Sequence, residues 1–271
     1  MRGLQADVAA NAQRIRALDQ SVKSIALKFA PGVDLPDAVQ NQMNQRVAEF
    51  RDYFKLLGFR TRRRAPKVTT RGSAAGAIAY YNPTPNVIYV DPAYAESEYP
   101  ILRQYAHVVL YAVHPFDNKQ PLTNYEWVAL EYGLADYFPA SFLGNSTLEA
   151  RGSGAKANQD LIVELNNEER LTGVGENLQL HQTYARQRAW GGLLWAIREA
   201  LGQQKADQYI YAAWQASSGE DENSIGRGFM ANLLRQAARS DPAAEAQMRR
   251  VLLNRGLTSD ELPEAVTEPA A

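Results

Sequence analysis

Residues 131–143 read Glu-Tyr-Gly-Leu-Ala-Asp-Tyr-Phe-Pro-Ala-Ser-Phe-Leu. This stretch and the residues before it predict a helix over 124–138. In this prediction Pro139 ends the helix, because proline has no backbone N–H and its ring clashes with the preceding turn. The segment upstream, 97–113, is strongly apolar and predicts a buried helix that ends before Pro115. The sequence thus predicts two helices close together along the chain.

Further helices and one hairpin are predicted around this pair. Helices are predicted over 37–57, 182–217 and 224–254. Residues 77–81 and 87–90 are apolar and flank Asn-Pro-Thr-Pro-Asn, which is typical of a β-hairpin. Residues 143–175 are rich in Gly, Ser and Asn and predict a long surface excursion. The expected fold class is therefore α+β and mostly helical.

The composition excludes several classes of protein and site. The chain has 271 residues, of which 45% are apolar, and 29 basic against 30 acidic residues give a net charge of −1. This balance does not favour binding to nucleic acid. The chain has no cysteine, so thiolate zinc sites, iron–sulfur clusters and cysteine nucleophiles are excluded. A basic stretch over 60–67 fits either a solvated strand face or a patch for an anionic partner.

The N-terminal segment has the spacing of a coiled-coil seam. Apolar residues and one asparagine recur at alternating intervals of four and three: Leu4, Val8, Asn11, Ile15, Leu18, Val22, Ile25 and Phe29. This pattern predicts a homo-oligomer that is held together by a parallel two-stranded coiled coil. The alternative is an amphipathic helix that packs on its own domain. A helix in this position would also suit a tether from an upstream membrane anchor, with the domain in a bacterial periplasm or otherwise outside the cytoplasmic membrane. The sequence itself does not assign the compartment.

The three histidines do not form a local zinc site. His107 and His114 are seven residues apart on one predicted helix, which separates them by about 10 Å at 1.5 Å per residue. Two ligands of one zinc ion both lie about 2 Å from it, so these two histidines cannot share a metal. A zinc site would need His181 or carboxylates such as Glu131 and Asp136 to converge from distant segments. We therefore expect no metal and no cofactor.

Three segments nevertheless resemble gluzincin zinc metallopeptidases, the class that includes thermolysin-like and fungalysin-like enzymes. Residues 103–110, Arg-Gln-Tyr-Ala-His-Val-Val-Leu, resemble the helix that carries His-Glu-x-x-His. Residues 131–143 resemble the second metal-binding helix, with its Glu-Gly-Leu-Ala-Asp-Tyr-Phe pattern. Residues 190–202, Trp-Gly-Gly-Leu-Leu-Trp-Ala-Ile-Arg-Glu-Ala-Leu-Gly, resemble the downstream helix of fungalysin-like members. The resemblance spans residues 75–215 and implies a zincin-like domain.

Most functional positions of that family carry other residues in this chain. In this resemblance, Arg103 stands at the position of the first metal-binding histidine, Gln104 at that of the general-base glutamate and Tyr132 at that of the third metal ligand. His107 matches the second metal-binding histidine. Tyr184 stands at the position of the histidine that stabilises the oxyanion in the family. Arginine has no lone pair to offer a metal, and glutamine cannot accept a proton from metal-bound water. The resemblance therefore implies a catalytically inactive domain.

Asp136 matches an aspartate of the family, although the histidine that this aspartate usually orients is absent from this chain. In the family, the aspartate that matches Asp136 orients the first metal histidine, and Arg103 stands at that histidine in this chain. We predict that Arg103 pairs with Asp136, with two hydrogen bonds where geometry allows, so that a guanidinium replaces the metal cation. Glu131 is a second candidate partner.

These observations predict an inactive metallopeptidase-like domain that binds or scaffolds proteins. The chain is predicted to comprise a helix over 1–30, a zincin-like domain over 33–258 and a flexible tail over 259–271. Within the domain, the sheet is expected in 33–140, and 180–258 is expected to be helical. The partner is expected to be a protein or peptide, bound by strand addition to an edge strand near residues 86–91. The alternatives are an active peptidase with a non-standard metal site and a structural subunit whose cleft is plugged.

Overall fold

The computed structural model describes residues 28–29, 36–60, 66–69, 78–82, 85–114, 124–174, 176–217, 220 and 224–262. The helices in this part of the chain are α1 (Asp37–Leu56), α2 (Glu98–Val113), α3 (Glu126–Leu143), α4 (Thr183–Leu201), α5 (Gln203–Ala216), α6 (Ile225–Ser240) and α7 (Pro242–Asn254). The strands are β1 (Lys28–Phe29), β2 (Lys67–Thr69), β3 (Ala79–Asn82), β4 (Val87–Val90), β5 (Thr147–Ala150) and β6 (Leu161–Glu164). The protein is therefore α+β and mostly helical, as predicted. None of these described helices is both long and apolar enough to cross a bilayer.

A small sheet and a separate hairpin lie beside the helices. The larger sheet has the strand order β1-β2-β4-β3, with β3 antiparallel to β4 and the other pairs parallel. The predicted hairpin is thus confirmed as β3–β4. The expectation of an edge strand near residues 86–91 is wrong, because β4 lies between β2 and β3, and β3 ends the strand order among the described residues. Strands β5 and β6 form a second, two-stranded sheet.

The heptad pattern of the N-terminal segment does not continue as a helix to Phe29. Lys28 and Phe29 form β1, which pairs in parallel with Lys67 and Val68. Since this backbone is extended and hydrogen-bonded to β2, the helix cannot run to Phe29. The predicted seam residues Leu4, Val8, Asn11, Ile15, Leu18, Val22 and Ile25 lie outside the described residues.

The buried helix α3 is the centre of the molecule. Most of its residues are buried, including the carboxylates of Glu126, Glu131 and Asp136, and it packs against both α2 and α4. One continuous hydrophobic cluster joins α1 to α7. The largest fully buried side chains include Trp190, Trp214, Tyr137, Tyr211, Phe50, Phe54, Phe138 and Phe229. Helix α3 therefore lies in contact with both of the other helices, α2 and α4, that carry segments singled out in the sequence.

Helix α3 continues beyond the proline that was predicted to end it. Pro139 lies inside α3, which ends at Leu143. A proline in a helix interior costs about 3 kcal/mol, but the turn that follows is enclosed by other elements. The hydroxyls of Tyr137 and Ser141 both donate to the buried carboxylate of Asp207, at 2.6 and 2.7 Å. These tertiary contacts stabilise the helical turn that local propensity disfavours.

The segment 143–175 is not the surface excursion that its composition predicted. It contains the β5–β6 hairpin, and several of its apolar side chains are fully buried. They are Leu148, Ala150, Leu165, Leu171 and Val174. Short strands separated by ten polar and glycine-rich residues carry a weak periodic signal, so the sequence pattern did not identify them.

The two long C-terminal helices of the prediction are each divided. Gly202, with φ of +80°, separates α4 from α5, and the left-handed region is open to glycine without steric penalty. Asp241 and Pro242 separate α6 from α7, where the Asp241 carboxylate accepts from the N–H of Ala244 and so caps the second helix. The packed region extends to Leu262, four residues beyond the predicted domain end at 258.

The α3–α4 contact requires glycine at position 133. A Cβ added there would lie 2.7 Å from Trp190 Cβ and 3.2 Å from the backbone of Gln187. We expect Gly133→Ala to lower the free energy of unfolding by about 1–3 kcal/mol, because the two helices must move apart. The control is Gly191→Ala, whose Cβ would meet only the end of the Leu165 side chain at 2.8 Å. Urea denaturation should show a much smaller loss for Gly191→Ala; equal losses would contradict this interpretation.

A buried carboxylate beside α4 makes the free energy of unfolding depend on pH. Glu126 accepts from Trp190 Nε1 at 2.6 Å, and its other oxygen lies 3.5 Å from Arg186 Nε. Burial raises the pKa of Glu126 above 4.5, although Arg186 and Trp190 favour the charged form. The folded protein therefore holds this proton more tightly than the unfolded chain, and stability falls as the pH rises above that value.

We expect Glu126→Gln to weaken this pH dependence. Wild type and variant are compared by urea denaturation at about pH 5 and about pH 8. The difference in free energy of unfolding between the two conditions should be smaller in the variant, because glutamine does not ionise. Burial also raises the pKa of Asp207. The contribution of Asp207 to the pH dependence is the same in wild type and variant, so it cancels in the comparison. If the variant kept the pH dependence of the wild type, Glu126 could not be its source.

Candidate functional site

Three sequence-predicted site residues meet between α2 and α3. Arg103 and His107 lie one turn apart on α2, and Tyr132 faces them from α3. The Arg103 guanidinium carbon lies 5.1 Å from the centre of the Tyr132 ring, and the His107 ring centre lies 5.1 Å from it in an edge-to-face contact. The three positions at which the resemblance would place metal ligands therefore face one another in space.

A buried carboxylate network holds this arrangement together. Arg103 Nε donates to Asp136 Oδ1 at 2.6 Å, and the Tyr99 hydroxyl donates to the same oxygen at 2.8 Å. Gln187 Nε2, from α4, donates to Asp136 Oδ2 at 2.6 Å. Asp136 is only 2% exposed. The structure thus contains the Arg103–Asp136 pair, through one guanidinium nitrogen, and the second carboxylate oxygen binds Gln187.

The protonation states of this network follow from its geometry. Burial opposes the charged form of Arg103, but the charge of Asp136, the hydrogen bond to Asp136 and the nearby Tyr99 together outweigh it and raise the pKa of the guanidinium. Burial, and then the charge of Asp136, raise the pKa of Tyr99 well above its usual value. Tyr99 therefore keeps the proton that it donates, and Arg103 is a permanent cation at this place.

His107 has a different buried partner. Its Nδ1 lies 2.6 Å from Glu131 Oε1, and both side chains are buried. Glu131, the second candidate partner for Arg103, is thus engaged by His107 instead. Consecutive residues of a helix point about 100° apart, so Glu131 and Tyr132 reach His107 from two directions. The contact fits a hydrogen-bonded core histidine.

A small cavity opens beside Arg103. Its volume is about 220 Å³. It is lined by Ile78, Ala79, Tyr99, Pro100, Arg103, Gln104, Tyr132, Leu161, Val163, Tyr184 and Gln187. Tyr184 is 62% exposed, so the rim of the cavity reaches solvent. Arg103, Gln104, Tyr132 and Tyr184 of the predicted site line this cavity, and His107 and Asp136 are not among its lining residues.

Gln104 is the most constrained of the lining residues. It is 2% exposed, and its Nε2 donates to the backbone carbonyl of Ala79 in β3 at 3.2 Å. Its other polar atom, Oε1, is buried and has no hydrogen-bond partner among the described residues. An unpaired buried acceptor costs roughly 1–3 kcal/mol, so an N–H donor that reached Gln104 Oε1 would remove a penalty.

The donor set at this site does not fit zinc. Within the described residues, no three His, Asp or Glu side chains are grouped so that they could hold a metal ion. Arg103 offers a positive charge and no lone pair, and Asp136 is committed to it. His114 is elsewhere, against the rings of Trp127 and Trp214, where burial lowers its pKa. The metal site of the active-peptidase alternative is therefore not assembled from these residues.

Several residues of the site were not predicted from the sequence. Tyr99 and Gln187 bind Asp136, and Leu161 and Val163 line the cavity. Helical spacing could have found the first two, because Tyr99 precedes Arg103 by four residues and Gln187 follows Tyr184 by three. The two β6 residues had no such signal, since β6 lies in the segment predicted to be a surface excursion.

Comparisons with protein-family models, with curated proteins and with solved structures return no match. The resemblance to gluzincins therefore rests on the three sequence segments alone.

Proposed function

We propose that this protein is a catalytically inactive metallopeptidase-like domain that binds a peptide segment of a partner protein. One observation carries the proposal: helices α2, α3 and α4 all contribute to one cavity beside the Arg103–Asp136 pair. Arg103 comes from α2, Tyr132 from α3, and Tyr184 and Gln187 from α4. The resemblance requires these helices to converge, and the local pattern of each helix does not demand it. In this proposal the domain is a degenerate zincin whose cleft kept its shape and lost its metal.

The chemistry of the site supports loss of catalysis. Gln104 stands where a general base would take a proton from water, and an amide has no useful basicity at neutral pH. The Arg103 cation lies where a zinc ligand would be and would repel zinc. Tyr132 keeps its proton, because burial and then the charge of Glu131 raise its pKa. These groups can donate hydrogen bonds and fix orientation, which is sufficient for binding.

The shape of the cleft supports binding over a purely structural role. The side chains of Tyr132 and Tyr184 are 38% and 62% exposed at the cavity rim, so the cleft is not plugged there. Strand β3, which ends the strand order among the described residues, contributes Ala79 to the cavity wall. A peptide could lie along β3 and place side chains in the cavity. Pairing of copies through the predicted N-terminal seam would add avidity.

Selection from a random peptide library tests this proposal. Recovered peptides should slow amide hydrogen exchange in β3, β6 and the first turn of α4, and mass spectrometry should find them intact after long incubation with the protein. Cleaved peptides would establish the active-peptidase alternative. Failure to enrich any peptide would favour the structural-subunit alternative.

A further inference from the structure

The connection between β5 and β6, residues 151–160, is attached to the molecule differently from the strands that it joins. We call this segment the strap, and none of its described side chains is buried. By contrast, Leu148 and Ala150 of β5 and Leu165 after β6 are at most 1% exposed. They belong to a small hydrophobic cluster that also contains Trp195. Apolar packing therefore holds the base of the hairpin, and the strap lacks it.

Two polar contacts attach the far end of the strap to the turn before α2. Lys156 Nζ lies 2.6 Å from Asp91 Oδ2, and the Tyr94 hydroxyl donates to the backbone carbonyl of Gln159 at 2.6 Å. We call these two contacts the latch. The side chains of the ion pair are 36% and 16% exposed, and ion pairs close to solvent contribute little to stability. Breaking the latch therefore requires little free energy.

Further hydrogen bonds attach the beginning of the strap. The Arg151 N–H donates to Ser97 Oγ at 3.0 Å, and Ser153 Oγ donates to the backbone carbonyl of Ala93 at 2.9 Å. These contacts are polar, like the latch, and water can replace them when they break. Detachment of the strap exposes little apolar surface of its own, so the hydrophobic effect opposes it only weakly.

The strap also has hydrogen bonds within itself, so it can move as a unit. The Gly152 N–H donates to Asp160 Oδ1 at 3.1 Å, which joins the two ends of the strap. The Gln159 N–H donates to the backbone carbonyl of Lys156 at 2.9 Å. Position 152 requires glycine, because a Cβ there would lie 1.9 Å from the Lys156 carbonyl oxygen. None of these internal contacts depends on the turn before α2.

The strap borders a cavity of about 600 Å³, larger than the cavity beside Arg103. Arg151, Gly152 and Ser153 line this larger cavity, together with residues of β5 and of the start of α2. Its volume lies within the roughly 300–1,000 Å³ of sites that hold small molecules. Movement of the strap would therefore change the access of solvent and solutes to this cavity.

We propose that the strap is a cover of the larger cavity, which detaches as one unit while β5 and β6 stay paired. The latch determines how often the cover is open. Opening exposes Leu148, a β5 residue that lines the cavity and is 1% exposed while the strap is attached. This inference goes beyond the proposed function, because it concerns a different cavity and does not depend on the binding of a peptide.

Amide hydrogen exchange, followed by NMR, tests the movement. In the wild type, the N–H groups of Arg151, Gly152, Lys156 and Gln159 should share one free energy of opening, which should be lower than that of the β5–β6 ladder. This free energy should depend little on urea, because little surface becomes exposed. Strap amides that open only together with the ladder would overturn the proposal.

Removal of the latch should speed this exchange. The double variant Lys156→Met and Tyr94→Phe nearly keeps the size of both side chains, and its strap amides should exchange about tenfold faster. The matched control is Lys205→Met, which removes an ion pair elsewhere, between Lys205 and Asp241 at 2.7 Å. This control should leave exchange in the strap unchanged. Equal exchange in the double variant and the wild type would show that the latch does not hold the strap.

A single introduced thiol tests whether the strap covers the cavity. The chain has no cysteine, so Leu148→Cys supplies the only reactive thiol. It should react with a small thiol reagent at the free energy of opening that the strap amides show in the same variant. Adding the latch substitutions should make the reaction about tenfold faster. A thiol that reacts only with the slower opening of the β5–β6 ladder would overturn the assignment of the strap as the cover.

Discussion

Replacing Asp136 by asparagine is expected to lower the free energy of unfolding by about 3–5 kcal/mol. The buried carboxylate accepts three hydrogen bonds, from Arg103, Tyr99 and Gln187. Asparagine presents an NH₂ group to at least one of these donors and leaves Arg103, whose side chain is 18% exposed, without its counter-charge. Urea denaturation at neutral pH measures the loss. A loss below about 1 kcal/mol would contradict this expectation, because solvent-exposed ion pairs contribute no more than that to the free energy of unfolding.

Two further variants separate charge burial from general damage. Glu149 and Arg151 form a pair whose side chains are 46% and 79% exposed, and Glu149→Gln should change stability by less than about 1 kcal/mol. Adding Arg103→Met to Asp136→Asn should recover part of the loss, because no unpaired charge is then buried. Without such recovery, the cost would reside in Tyr99 and Gln187 rather than in the cation.

Restoring metal ligands is expected to create a zinc site. In the double variant Arg103→His and Tyr132→Glu, the introduced imidazole and carboxylate flank His107, which the wild-type structure already places 5.1 Å from the Tyr132 ring. Asp136 would orient the introduced imidazole through a hydrogen bond. Calorimetry should show one zinc ion per chain. Zinc at about 100 times its dissociation constant should raise the free energy of unfolding by about 2.7 kcal/mol.

The matched control keeps the size of the side chain and removes the ligand. Arg103→His combined with Tyr132→Gln lacks the carboxylate and should bind zinc far more weakly. A folded Arg103→His, Tyr132→Glu variant that binds no more zinc than this control would mean that α2 and α3 do not have the geometry of a zincin site. The resemblance would then be limited to sequence.

The sequence predicted those parts of the fold that have strong local periodicity. The α1 helix and the β3–β4 hairpin lie within a few residues of their predicted positions. The continuation of α3 past Pro139 was not predictable, because it depends on Asp207, which is distant in sequence and accepts from Tyr137 and Ser141. Tertiary hydrogen bonds outweigh helix propensity there.

The candidate site was predictable where residues act through helix spacing. Arg103 and Asp136 were paired from a comparison of positions in the resembling segments, and the structure has them 2.6 Å apart. The engagement of Glu131 by His107 was not predicted, because it depends on the rotation of α3 relative to α2. Leu161 and Val163 were missed, since a four-residue strand in a polar segment has too few residues to show alternation.

The metal content of wild-type protein, purified without chelator and without added metal, tests the central claim most directly. The protein should contain no stoichiometric zinc, and its melting temperature should not change when zinc is added, because Arg103 and Tyr132 stand where the proposed resemblance would place metal ligands. One tightly bound zinc ion per chain would contradict the proposal that this is a metal-free, inactive domain, and the cleavage of peptides would then have to be measured.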